Sequence, residues 1–120
     1  MAQHLETGAS GEKAACEFLV KKGFDIIEKN WRSGKDEVDI IAENKGQVVF
    51  IEVKTRSTNY FGDPEDWVGL KKQRNLIRAA NNFIEERQLD ADVRFDVIGI
   101  VKGPQEMSLK HIEDAFYPLI

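Results

Sequence analysis

Apolar positions along the chain change their spacing several times, and each change marks an element. From Thr7 to Lys22, Ala14, Ala15, Phe18 and Leu19 recur with helical spacing, and Gly23 supplies a left-handed stop. Phe24 to Trp31 reads as a strand ended by the Ser33-Gly34-Lys35 turn. Two short apolar runs follow, Glu37 to Glu43 and the β-branched, aromatic run Gln47 to Lys54, with a turn signal at Asn44-Lys45-Gly46 between them. The pattern breaks between Thr55 and Gly69, a loop carrying Tyr60, Phe61 and Trp67. Leu70 to Arg87 is then a helix whose stripe is Leu70, Leu76, Ile77, Ala80, Phe83 and Ile84. Arg94 to Val101 forms a fourth strand, and after Gly103-Pro104 a final strand or extended edge runs from Ser108 to Phe116. Three consecutive strands make an antiparallel meander, and a helical crossover makes the third and fourth parallel. The expected fold is α/β, an αβββαβ sandwich with helices flanking a mixed central sheet.

A chain of 120 residues, 42% hydrophobic, fits one domain spanning 1–120. Cys16 is the only cysteine, so no disulfide forms within the chain and a reducing, cytoplasmic setting is the default. No signal-like amino terminus or membrane-length apolar run is visible. The net charge of −4 argues against indiscriminate binding to nucleic acid.

Charges inside the apolar runs change the picture. Strand alternation puts Glu52 and Lys54 on the side of Val48 and Phe50, while Val49, Ile51 and Val53 take the other. Ions ending a covered strand need compensation. An even-numbered hairpin connection sets Asp39 opposite Glu52, with Cβ atoms roughly 5 Å apart; a three-residue loop puts them on opposite faces unless a bulge restores parity. Carboxylates that close share a proton or a divalent cation, and oxygen ligands suit Mg²⁺ or Mn²⁺. Glu12 falls either on the core-facing stripe of the first helix or in an exposed, frayed first turn. Lys71, Arg74 and Arg78 align on the second helix, as a solvated face or as a row meeting successive phosphates. Trp31 reads as packing, Arg32 as a weak phosphate contact and Asp96 as a cap or salt-bridge partner. His4 and His111 have no visible partners.

Taken in order, Gly11-Glu12, Asn30-x-Arg32, Glu37-x-Asp39-x-Ile41-Ala42, Val49-Phe50-Ile51-Glu52-Val53-Lys54-x-Arg56, Phe61-Gly62, Lys71 and Arg94-Phe95-Asp96-Val97 resemble the YraN-like family of small bacterial proteins across nearly the whole chain. That family is similar in turn to the restriction-endonuclease-like PD-(D/E)xK superfamily and, in layout, to archaeal Holliday-junction resolvases. The resemblance implies that Glu12, Asp39 and Glu52 are the acidic positions and Lys54 the signature lysine. Val38 stands where the signature has proline, and Asp36 where the family commonly has glycine. It further implies a Mg²⁺- or Mn²⁺-dependent nuclease acting on DNA, including branched or repair intermediates. Asp39, Glu52, the Val53 carbonyl and Glu12 would be its metal ligands, and Arg56, Lys71, Arg74 and Arg78 its nucleic-acid contacts. Two rivals use the same fold: a non-cutting nucleic-acid-binding module in which Lys54 bridges Asp39 and Glu52, and a protein-interaction or homodimerisation unit.

Overall fold

The strand Gln47–Ser57 (β3) is the spine of the molecule, and its side chains divide between two cores. Val48 and Phe50 pack on one face with Leu76, Ala79 and Phe83 of the helix Leu70–Glu86 (α2). Val49 and Ile51 pack on the other with Ala15 and Leu19 of the helix Ala2–Lys21 (α1). Both faces being covered is why this strand is apolar at nearly every position. The computed structural model describes residues 2–57 and 64–117, with the backbone alone for residues 2–9, 64 and 65. Tyr60, Phe61 and Gly62 therefore lie outside the described residues, as does the side chain of His4.

The remaining strands are Asp25–Ser33 (β1), Asp36–Asn44 (β2), Asp92–Lys102 (β4) and Met107–Ile112 (β5), in the sheet order β1-β2-β3-β4-β5. β3 and β4 are parallel, joined through α2, and every other pair is antiparallel. This is the expected α/β sandwich, with the final segment resolved as a short edge strand after which Phe116 returns to stack on Phe95. Trp31 packs edge-on against Phe83, as a core residue should. β3 continues through Thr55, Arg56 and Ser57, where a loop was expected, because the parallel ladder with β4 extends to Ser57↔Lys102. Pro64–Trp67 adds a 3₁₀ turn before α2. Among the described residues no helix is long and apolar enough to cross a membrane.

The hairpin connection is the two-residue Lys45-Gly46 turn, both residues at positive φ (53° and 78°), closing on the pair Asn44↔Gln47. The even-numbered register is thus the one adopted. Regular pairing of β2 with β3 then runs to Ile40↔Ile51 and stops just before Asp39 and Glu52. On the other side, β1 pairs Lys29 with Ile40 and Trp31 with Val38, passing over Asn30 and Asp39. Asn30 has φ 51°, a left-handed conformation that asparagine tolerates better than most residues. Val38 consequently packs beneath α2 and Ile40 beneath α1, although regular alternation would give them one face. Asp39 sits at this local break in the sheet.

Candidate functional site

Asp39 has left the backbone ladder on both sides, and its side chain takes over one of the missing bonds. Its Oδ2 accepts the Val53 N–H at 2.8 Å, so the carboxylate is held against the strand that carries Glu52 and Lys54. Burial pushes the Asp39 carboxyl up to about 7, the neighbouring Glu52 charge adds to the rise, and the Val53 N–H opposes it. Glu52 is 3% exposed, and its Oε1 is buried with no hydrogen-bond partner. Its Oε2 faces two ammonium groups, Lys54 Nζ at 3.4 Å and Lys72 Nζ at 3.6 Å. Two acids within reach of one another can bond only through a proton on one of them or a cation between them.

Glu12 arrives from the opposite layer. α1 approaches β3 so closely at Gly11 that a Cβ there would come within 2.6 Å of Thr55 Oγ1, and this contact sets the turn of α1 that carries Glu12 against the sheet. Glu12 is half-buried rather than frayed and exposed. Burial raises its pKa, the Asp39 charge raises it further, and a hydrogen bond from the Asn30 side chain opposes both. A cavity of about 370 Å³, lined by Glu12, Lys13, Lys29, Asn30 and Asp39 among others, opens on this side. A larger groove of about 770 Å³ continues over Cys16, Val20, Ile26 and Ile27, but none of Glu12, Asp39, Glu52 and Lys54 lines it.

The structure therefore brings Glu12, Asp39, Glu52 and Lys54 to one corner, with Asp39 and Glu52 the intimate pair and Glu12 set back. The basic residues fare differently. Arg56 bonds the Thr55 carbonyl at 3.0 Å and lies 5.4 Å from the Trp67 ring centroid. Lys71 and Arg74 are exposed on α2. Arg78, expected in the same row, is instead clamped to buried Asp36 through Nε at 2.7 Å and Nη2 at 2.9 Å. Arg78 first by hydrogen bonding, and then by its charge against the cost of burial, holds the Asp36 carboxyl below its usual range. Arg32 pairs with Glu37 at 3.0 Å.

Lys72 belongs to the basic cluster Arg56, Lys71, Lys72, Arg74 and Arg78 of the sequence but has no expected site role, although a signal for one is present. It precedes Leu76, Ala79, Ala80 and Phe83 on the buried stripe, so its side chain is directed at the sheet while the row of Lys71 and Arg74 faces outward. His111, expected to lack partners, has several. Its ring is buried at the edges of Phe18 and Phe24, its Nε2 lies 2.8 Å from Asp96 and its Nδ1 2.9 Å from Lys22 Nζ. A cationic Lys22 can only donate, so Nδ1 accepts and Nε2–H points at Asp96. Asp96 is fully buried and also receives two bonds from Arg94 and the Asp114 N–H. Burial alone would raise its pKa, but His111, Arg94 and the Asp114 amide hold the carboxyl below its usual range. Asp96, His111 and Glu113 place ligand atoms within 4.8 Å of one another, a tighter set than Glu12, Asp39 and Glu52 form. Arg94 and Lys22 already pair with that set, and the salt-bridge reading of Asp96 is the one its contacts support.

Two helical layers on a mixed five-stranded sheet make this an α/β fold consistent with a restriction-endonuclease-like core. The chain belongs to the uncharacterised protein family UPF0102, whose profile matches residues 11–100. It is 46% identical over 117 residues to a UPF0102 protein of Christiangramia forsetii, covering 98% of each chain. Similar relatives occur in Phocaeicola vulgatus, 43% over 120 residues with 100% of this chain and 99% of the relative covered, and in Bacteroides thetaiotaomicron, 42% over 118 residues with 98% of each. The YraN-like resemblance read from the motifs is borne out.

Proposed function

We propose that the protein is a divalent-metal-dependent phosphodiester hydrolase acting on DNA. The observation that carries this reading is Glu52 Oε1, a buried carboxylate oxygen without a donor, placed beside a second carboxyl whose ionisation is suppressed first by burial and then by the Glu52 charge. An unsatisfied buried acceptor is rare in folded proteins and costs about 1–3 kcal/mol or more when charged. An all-oxygen donor set of Asp39, Glu52 and the Val53 carbonyl fits Mg²⁺ or Mn²⁺, with Glu12 reaching it through water. Such an ion, when bound, polarises a phosphodiester and makes water a better nucleophile.

The chain's own groups do the rest. Asp39 is oriented by the Val53 N–H before any ligand arrives. Lys54, on the same side of β3 as Glu52, directs the attacking water or neutralises charge on the phosphate. Lys71 and Arg74 present unburied charge to the nucleic-acid backbone, and Arg56 lies beside Lys54 on β3. The choice of DNA over RNA rests on likeness to the superfamily, and the inclusion of branched or repair intermediates on likeness in layout to archaeal Holliday-junction resolvases. The alternative on the same fold is a binding module in which the lysines near Glu52 serve as structural counterions.

Incubation with Mn²⁺ or Mg²⁺ and labelled branched, flapped and linear DNA separates the two. Cleavage of at least one substrate, lost in Lys54→Ala while the melting temperature holds, is the expected result. Binding without product on any substrate favours the binding module.

A further inference from the structure

We infer that Lys72 is a second substrate-contacting lysine, meeting the same phosphate as Lys54; the inference rests on the hydrolase reading. Three observations point there. Lys72 comes from the first turn of α2 and Lys54 from β3, yet both ammonium groups converge on one oxygen, Glu52 Oε2. Both distances are too long for charge-assisted hydrogen bonds, which close to roughly 2.7–2.9 Å. The arginine pairs Arg78–Asp36 and Arg87–Glu28 close to 2.7 Å and Arg94–Asp96 to 2.8 Å, whereas the half-exposed Glu113 is met only at 3.9 Å by Lys22 and 3.4 Å by Arg94; Glu52, unlike Glu113, is buried, and still neither lysine closes on it.

Charge balance supplies the third observation. On the α2 side of Glu52 two cations face one carboxylate oxygen, while Asp39 and Glu12 lie towards the cavity that opens beside α1. The corner therefore has an acidic half suited to a cation and a basic half with an excess of positive charge. Lys72 remains 37% exposed along its side chain, so an anion entering from solvent can reach it. In hydrolysis, water oxygen bonds to phosphorus and the bond from phosphorus to one sugar oxygen breaks. The water proton passes to a base or to solvent, and the freed sugar oxygen takes up a proton. Negative charge grows on the phosphoryl and leaving oxygens during that exchange, and Lys72 is placed to offset it together with Lys54.

The test compares full-length wild type, Lys72→Met and Lys72→Arg for DNA cleavage with Mn²⁺, for Mn²⁺ affinity by calorimetry and for thermal melting. Lys72→Met is expected to lower kcat by about 100-fold, the usual loss on removing one transition-state donor. Mn²⁺ affinity should be unchanged or tighter, because a cation competing for Glu52 is gone, and Lys72→Arg should recover part of the rate. Unchanged kcat in Lys72→Met, with or without a lower melting temperature, makes the lysine a structural counterion and overturns the inference. Weakened Mn²⁺ binding that accounts for the rate loss overturns it too, since Lys72 would then act through Glu52. A wild type that neither binds Mn²⁺ nor cuts removes the hydrolase reading itself, an outcome distinct from the other two.

Discussion

Burial and the Glu52 charge perturb the Asp39 carboxyl, and the perturbation has a definite sign in stability. Its carboxyl titrates at about 7 in the folded chain against an ordinary 3.8, so between those values the native state holds a proton that the unfolded chain has released. Stability attributable to Asp39 is therefore greatest below pH of about 4, falls as pH rises through the window, and is fully lost above about 7. Asp39→Asn should melt higher than wild type near pH 8 and converge with it near pH 4, a comparison made by thermal scans across that range. Equal melting curves at both ends would show that neither burial nor the Glu52 charge raises the Asp39 pKa. Asp96 behaves oppositely. Its pKa is depressed, so its contribution is present above the ordinary carboxylate range and is lost as pH falls through the lowered value. Asp96→Ala leaves buried Arg94 without its bidentate partner and should cost about 3–5 kcal/mol in denaturant unfolding.

At the scale of elements, the packing of α1 on β3 decides where Glu12 stands. Gly11→Ala drives a methyl into Thr55 Oγ1, with Ile100 Cδ1 only 3.4 Å away. Overpacking of this kind costs about 1–3 kcal/mol, and Thr55→Ala in the same chain should recover much of it. Lys71 and Arg74, the members of the α2 row not clamped to Asp36, belong to a different experiment. Lys71→Ala with Arg74→Ala should weaken DNA binding and flatten its salt dependence, by about one unit of slope for each phosphate no longer neutralised. Arg78→Ala should lower stability instead, because it strands Asp36. That division shows what helical spacing can and cannot reveal. The i, i+3, i+7 row is legible in the sequence, but which member meets a buried acid depends on Asp36, 42 positions away. Lys72 is legible in principle, since it extends the buried stripe, yet a stripe is recognised by its apolar members and a lysine at its end reads as surface.

For the whole molecule, the order of elements, the mixed sheet and the faces of the β3 side chains from Val48 to Lys54 are readable from alternation and turn chemistry. The parity condition on the hairpin leaves one question, and the Lys45-Gly46 turn answers it. What periodicity could not show is the break at Asn30 and Asp39, which depends on the left-handed conformation of Asn30 and on pairing across three strands; the register shift of the β1–β2 ladder lies elsewhere, between Ile26 and Glu28. His111 is illegible for a related reason: its partners Lys22, Phe18, Phe24 and Asp96 come from distant segments that only the folded sheet assembles. Asp39, Glu52 and Glu12 are likewise gathered from three elements, and the account stands on their holding one dication. Calorimetric titration of Mn²⁺ into wild type and Glu52→Ala near pH 7.5 tests this most directly. Saturable binding to the wild type that the substitution abolishes is the predicted result, whereas no heat from the wild type at millimolar Mn²⁺, or identical binding by both proteins, would contradict it.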